Sequence, residues 1–387
     1  MKRPYLNRKR RLSLSIMDNY HRQQRINTFL VPLLAILSGL VVAAVLILFT
    51  GNSPLAAFEE LFKAGFGCSA LNRCAFFTTL ERATPLMLTG LSAVVAFRSG
   101  MFSIGQEGQF ALGALTAAWL GFAIDLPPVI HPIFIMLVAM IVGGIYGWIP
   151  GVLKVKLNIN EVITTIVMNE IAALFLVYMV NFPLRADRGT TAFSPVINEA
   201  AKLPIFMPGS KWGMGFVIAV AAVIVVYLYL WRSAPGYEQR MAGQSSLFAL
   251  FGGIRNDRAA IRGMFISGAL AGLAGAIEVI GVHYRINQDF APGLGFTGLS
   301  VAILGQVHPF GVFLVAILFA GVGLGAQLGL QINLGIPREL GGTVIALMIL
   351  FVAAEKFYVG GIAGLRERWA RFRGQKTAVE LAMEERE

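Results

Sequence analysis

The chain has 387 residues, of which 56% are hydrophobic and 14% charged, and its formal net charge is +11. A soluble domain is usually about a quarter charged, so the composition excludes an ordinary soluble enzyme. The basic surplus does not indicate nucleic-acid binding, because in the topology below 22 of the 32 Lys and Arg residues fall on one side of the membrane, as the positive-inside rule requires of the cytoplasmic side.

Apolar runs of roughly 18 or more residues recur along the chain, and each is long enough to cross a hydrocarbon core of about 30 Å. They predict an all-α polytopic membrane protein of about ten transmembrane spans, with both termini in the cytoplasm. Barrel strands would alternate in hydropathy, which these runs do not. The predicted spans are 28–50, 84–103, 106–125, 132–152, 160–182, 213–231, 259–282, 288–305, 309–329 and 340–357.

The domain organisation follows from these spans. Residues 1–27 form a basic cytoplasmic tail, 28–357 the membrane domain, and 358–387 a second cytoplasmic tail. The amino-terminal tail is interpreted either as a segment that contacts anionic membrane lipid or as a disordered segment that only sets the topology.

Both cysteines of the chain, Cys68 and Cys74, lie in the segment 51–82, which the topology makes an outside loop. An outside compartment permits a disulfide, and the spacing allows one, although the residues alone leave the pairing open. No His or further Cys lies near enough to complete a ligand set, so the sequence predicts no metal site.

The stretch "SIGQEGQF", residues 103–110, puts Gln106, Glu107 and Gln109 between two apolar segments. One interpretation is a cytoplasmic turn between two full crossings. The other is a break inside the membrane, which would expose backbone donors at the start of a half-helix. Amide side chains and free N–H groups suit sugar hydroxyls and base edges as partners.

The fifth predicted span carries a polar stripe. Glu161, Thr165 and Asn169 recur every fourth residue and therefore share one helix face. The stripe either faces a polar pathway or bonds neighbouring helices, and we predict that Glu161, Thr165 and Asn169 face the translocation path.

Two later spans have unusual patterns. In 259–282, Gly263, Ser267, Ala271 and Gly275 recur every fourth residue, which indicates close helix packing in lipid. Span 288–305 holds Pro292 and a glycine cluster, so a straight helix is hard to draw through it and a broken helix is predicted.

The hydrophilic segments suggest contacts with partners. Residues 183–212 form an outside loop suited to an external partner, and 232–258 form the largest inside loop. The inside loop has an apolar patch too short to cross the membrane, which predicts either a docking helix or one lying on lipid headgroups: Leu247, Phe248, Leu250 and Phe251. The chain has no phosphate-binding loop and no catalytic cluster, so we expect no bound cofactor, and any ATP must be bound by another polypeptide.

Five motifs together resemble one family: "FSIGQEGQFALGA", "NINEVITTIVMNEIA", "GYEQRMAGQSSLFALFGGI", "SGALAGLAGAIEV" and "LGQVHPFGVFLVAILFAG". They are similar in order and spacing to permease subunits of bacterial ATP-binding-cassette importers, in the branch for nucleosides and simple sugars that works with binding lipoproteins of the basic-membrane-protein type. The resemblance covers nearly all of 30–355.

The resemblance implies a multi-pass protein of the bacterial plasma (inner) membrane that is not itself an enzyme. It implies three partners: an ATP-binding-cassette ATPase, a second permease that is either a paralogue or a second copy, and an extracytoplasmic solute-binding protein. It places Gly253 with the apolar patch in the ATPase-docking loop, and it favours the intramembrane break, with Gln106, Glu107 and Gln109 on the path of a purine nucleoside or simple sugar. The alternative is an ion-coupled secondary transporter, for which Glu170 is the only acid near a span centre.

Overall fold

The structure, a computed structural model, describes residues 38–39, 41–49, 51–68, 74–186, 192–207, 209–290, 292–335, 342–343 and 346–347. The chain divides into two compact units, one formed by Ala56–Gly341 and the other by Met1–Leu55 with Gly342–Glu387. The helix Val41–Phe49 belongs to the second unit. The tails predicted at 1–27 and 358–387 lie outside the described residues, as do most of the predicted spans 28–50 and 340–357.

The described part of the chain is mostly helical, which confirms the all-α prediction. Two helices end in π-helical segments: Asn256–Glu278 continues over Val279–His283, and Pro309–Gly325 continues over Ala326–Asn333. The helices in chain order are α1 (Pro54–Phe66), α2 (Ala75–Arg98), α3 (Gln106–Ala123), α4 (Ile130–Leu157), α5 (Glu161–Asn181), α6 (Met214–Arg232), α7 (Ala234–Gln244), α8 (Ser246–Phe251), α9 (Asn256–Glu278), α10 (Leu294–Leu304) and α11 (Pro309–Gly325).

Within the described residues, five helices are long and apolar enough to cross a membrane: α4, α5, α6, and α9 and α11 with their π-helical segments. In α5 and α6, 28% of the most apolar window is buried inside the protein, whereas in α9 the share is 78%. The first two therefore present most of their surface outward, and α9 lies at the centre of the bundle.

Small residues let the central helix approach its neighbours closely. A Cβ atom added at Gly268 would collide with the carbonyl oxygen of Gly143 in α4, and one added at Gly275 would collide with that of Phe110 in α3. Gly268, Gly272 and Gly275 thus lie where α9 crosses α3 and α4, because close backbone approach in lipid requires side chains of this size. Of the small residues that recur every fourth position, Ser267 instead bonds Ser92 of α2, with 2.9 Å between the hydroxyl oxygens, and Gly263 lies against Ser99.

The segment 51–82, predicted as a loop, is largely helical. It holds α1 and the first turns of α2. At 13 residues α1 is too short to cross the membrane alone, so it left no long apolar run in the sequence. Its Gly65 packs against Gly321 of α11, and Leu61 packs against Gly325, which buries one face of α1 within the protein.

Candidate functional site

The candidate site is built around the segment 99–105, which separates α2 from α3. Here α2 ends at Arg98 and α3 begins at Gln106, with Met101 and Ser103 both buried. The hydroxyl of Ser103 accepts a hydrogen bond from the Gly105 N–H at 3.2 Å. Phe102 is exposed, so the segment is a partly buried connection between two helices.

Two residues of the predicted stripe on α5 bind this segment. The Asn169 amide nitrogen donates to the Ile104 carbonyl at 2.8 Å, and its oxygen accepts from the Gly108 N–H at 2.9 Å. The Ile104 N–H donates to the Thr165 hydroxyl at 3.2 Å. Asn169 is 4% exposed and Thr165 is 1% exposed, so of the two interpretations of the stripe these contacts favour bonding between helices.

Glu161, the third member of the stripe, has a different neighbour. Its carboxylate lies 3.0 Å from the ammonium of Lys154, so it joins the first turn of α5 to the last turn of α4. The structure brings Thr165 and Asn169 to the segment 99–105 and leaves Glu161 at the α4–α5 connection.

Glu107 links α3 to the start of α10. One carboxylate oxygen accepts from the Gly293 N–H at 2.6 Å and the other from the Gly295 N–H at 2.7 Å. A carboxylate is favourable there because the first N–H groups of a helix are unpaired and carry partial positive charge. Gly295 lies so close that an added Cβ would collide with the Glu107 backbone.

Helix α10 has 11 residues, and at about 1.5 Å per residue it covers only about half of a ~30 Å hydrocarbon core. This short helix explains the irregular pattern of the predicted span 288–305. Glu107 caps the amino-terminal end of α10. The two breaks between helices, 99–105 and the residues before Gly295, therefore meet at one place.

Gln106 and Gln109 have buried amide atoms that are not satisfied. Each side chain belongs to a residue that is 1% exposed. Among the described residues, both amide atoms of Gln106 and the amide oxygen of Gln109 have no hydrogen-bond partner. Burying a polar group without a hydrogen-bond partner costs about 1–3 kcal/mol. We therefore expect Gln106 and Gln109 to have a role other than stability.

The predicted docking loop forms two helices, α7 and α8. The Ser245 hydroxyl caps α8 by accepting from the Phe248 N–H at 3.3 Å, and Gly253 ends the turn that follows with φ 76°. The short helix turns its apolar residues outward: Leu247, Phe248, Leu250 and Phe251 are all more than 60% exposed, and Phe251 reaches 84%.

Sequence reasoning missed the connection between α7 and the segment 99–105. A Cβ added at Gly243 would lie 2.5 Å from the Arg98 carbonyl oxygen and 2.7 Å from the Gly100 nitrogen. Gln239, fully buried, donates to the Val95 carbonyl at 2.8 Å and accepts from the Tyr229 hydroxyl at 2.8 Å. In the sequence Gln239 is only one polar residue of the inside loop, and nothing in that pattern indicates that it is buried.

The far end of α2 has two features of its own. Cys68 and Cys74 are joined by a disulfide just before that helix. A small cavity nearby is lined by Glu81, Lys211 and Glu278 among others, with Glu278 3.3 Å from His283.

A helical membrane bundle with interrupted helices that meet at its core is typical of transport permeases. Residues 75–353 match the family described as "Branched-chain amino acid transport system / permease component", and the chain belongs to this family. No solved structure matches the chain.

Three curated relatives extend over most of the chain. It is 36% identical to the guanosine ABC transporter permease protein NupP of Bacillus subtilis, over 86% of this chain and 95% of that protein. It is 31% identical to the nucleoside ABC transporter permease protein NupB of Lactococcus lactis, over 84% and 91%. It is 29% identical to the glucose ABC transporter permease protein TsgB13 of Haloferax volcanii, over 84% and 87%.

These matches confirm the resemblance predicted from the five motifs. The chain is a multi-pass membrane protein and a translocation subunit, and the relatives support an ABC transporter permease over an ion-coupled carrier.

Proposed function

We propose that this chain is the permease subunit of an ATP-driven importer that carries purine nucleosides or related simple sugars. The names of the relatives support this solute class, since two of them are nucleoside or guanosine permeases and a third is a glucose permease. A nucleoside offers ribose hydroxyls and base edges, which are the hydrogen-bonding groups that amides pair with.

The observation that carries the proposal is the pair of unsatisfied glutamines. Gln106 and Gln109 occupy the start of α3, where the segment 99–105 meets the capped end of α10. Both side chains are buried, so the solute reaches them only after the surrounding helices move apart. Glu107 and the α5 residues Thr165 and Asn169 hold this region together and position the amides.

Coupling to ATP hydrolysis is assigned to α8 and α7. The apolar side of α8 docks in a groove of a separate ATPase, with Phe248 and Phe251 as anchors, because exposed aromatic residues of this size are typical interface hot spots. A displacement of α8 reaches the site through α7, since Gly243 lies against Arg98 and Gly100.

The remaining features of the proposal concern topology and partners. The chain has about ten spans and cytoplasmic termini in the bacterial inner membrane, in keeping with the distribution of its basic residues. It pairs with a second permease subunit, and the outer loops, stabilised by the Cys68–Cys74 disulfide, receive a solute-binding protein. Mass spectrometry of unreduced peptides from membranes checks the disulfide.

The test of the site replaces each glutamine by methionine, which has similar size and no strong hydrogen-bonding group. If the amides serve the solute, Gln106→Met and Gln109→Met should reduce guanosine uptake by about tenfold or more, the equivalent of one lost hydrogen bond. Thermal stability should stay equal or rise, because unsatisfied polar atoms are removed.

Gln288→Met is the matched control, since Gln288 is exposed in the loop after α9. Uptake at the wild-type rate in both site variants would contradict the assignment. A loss of uptake that follows a loss of thermal stability would show a structural role instead.

A further inference from the structure

A cluster of two arginines and several aromatic rings lies at the end of α2 that contacts α7. The guanidinium carbons of Arg98 and Arg240 lie 5.3 and 5.4 Å from the ring centroid of Trp231. Arg98 ends α2, Arg240 belongs to α7, and Trp231 lies in the last turn of α6. Three helices thus bring two positive charges to one indole, within the range of a cation–π contact.

Further rings extend the cluster along the membrane-crossing helices. His308 lies 4.8 Å from Trp231, and Tyr227 stacks on Trp231 at 5.5 Å. Phe310, at 5.0 Å from Tyr227, is 46% exposed on the first turn of α11. Trp231 and Phe310 lie at the ends of membrane-crossing helices, where aromatic side chains are enriched because their rings suit the headgroup region of the bilayer.

The two arginines have charge that the described residues do not neutralise. The Arg98 Nε donates to the Val307 carbonyl at 3.0 Å, and the Arg240 Nε donates to the Leu230 carbonyl at 2.8 Å. Among the described residues neither guanidinium forms an ion pair. Within the described part of the chain, most N–H donors of both groups are therefore left for a ligand. That ligand should be an anion, since the two like charges repel each other.

We propose that Arg98 and Arg240 bind the phosphate of an anionic phospholipid, whose acyl chains lie along Tyr227 and Phe310. Guanidinium groups match phosphate oxygens in shape and charge, and bind them with two parallel hydrogen bonds. The apolar, exposed Phe310 beside the charged groups favours a lipid over free phosphate, because it gives the chains a surface.

The test compares two double variants that remove the same charge. Native mass spectrometry of the purified full-length chain measures binding of phosphatidylglycerol, with phosphatidylcholine as the neutral lipid. Arg98→Gln with Arg240→Gln should weaken phosphatidylglycerol binding by about tenfold or more. Arg255→Gln with Arg258→Gln, at two exposed arginines near α8, should leave it unchanged.

Equal losses in the two double variants would show non-specific attraction and overturn the proposal, as would wild-type binding in the first variant. Displacement of the lipid by millimolar inorganic phosphate would identify a free-phosphate site instead and overturn the lipid assignment.

A measurement on the unmodified protein does not depend on the variants folding. Phosphatidylglycerol carrying a photoreactive diazirine on its acyl chain should label Tyr227, Trp231 or Phe310 when the full chain is irradiated in nanodiscs. Labelling confined to other helices would contradict the site.

Discussion

At the scale of single residues, neighbouring polar side chains at the start of α3 differ in their hydrogen bonding and so in their expected roles. Glu107 is satisfied twice by the backbone of α10, whereas Gln106 next to it is not satisfied among the described residues. The carboxylate therefore fixes the position of the short helix α10, and we propose that the amides bind the solute. The stability of α10 and the binding of solute are therefore two separate effects, and uptake measurements alone would not distinguish them.

Replacing Glu107 should loosen α10. Glu107→Ala removes both acceptors at the helix start and should cost about 1–2 kcal/mol of local stability, as other cap removals do. Glu107→Gln keeps one acceptor oxygen and should have a smaller effect. Hydrogen exchange at Gly293 and Gly295, together with guanosine uptake, measures both.

Glu199→Ala is the control for this prediction, because Glu199 takes part in a surface ion pair with Lys202, and such pairs contribute little. Unchanged exchange at Gly293 and Gly295 in Glu107→Ala would show that the carboxylate does not stabilise α10.

At the scale of elements, α5 provides a polar face that is hidden. Thr165 and Asn169 bond the segment 99–105 through Ile104 and Gly108. The remaining face of α5 is apolar and outward, as expected of a helix against lipid or a partner. Helix α5 thus holds the segment 99–105 in place through these hydrogen bonds.

Thiol labelling distinguishes a stripe that bonds neighbouring helices from one that faces the solute path. Thr165→Cys and Asn169→Cys should react with a water-soluble maleimide at least about tenfold more slowly than Ile159→Cys, because a reagent reaches buried thiols only by local opening. Ile159 is the reference because it lies exposed in the α4–α5 connection. Equal labelling at 159 and 169 would mean that the stripe faces water.

The apolar side of α8 should decide whether an ATPase stays bound. Phe251→Asp puts a charge where an aromatic anchor is expected and should separate the ATPase from the purified complex, while Phe251→Leu keeps an apolar side chain and should retain it. Membrane insertion should be normal in both. Co-purification of the ATPase with Phe251→Asp, with solute-stimulated hydrolysis, would disprove docking at α8.

The elements that the sequence predicted well are those whose surroundings can be inferred locally. Helices α4, α5 and α6 turn long apolar faces outward, so their bounds differ by only a few residues from the predicted spans. Helix α1 was missed because its burial depends on α11, more than 240 residues away. The same holds for Glu107, whose partners lie 186 and 188 positions along the chain, a distance at which local pattern carries no information.

At the scale of the whole molecule, we propose that contacts between helices form a route for mechanical coupling. The exposed α8 continues from α7, and α7 lies against the segment 99–105 through Gly243. That segment leads to the unsatisfied glutamines and to the capped α10. The central α9 packs tightly on α3 and α4 through small residues, so these helices are expected to move together as a rigid body.

The central claim is that solute movement through this chain is driven by ATP hydrolysis in a partner. The most direct measurement is uptake of labelled guanosine by proteoliposomes that hold the complete complex, with ATP and solute supplied on the appropriate sides. Accumulation should require hydrolysable ATP, remain unchanged when ionophores collapse proton and sodium gradients, and fall in Gln106→Met. Accumulation driven by an imposed ion gradient without ATP would contradict the account.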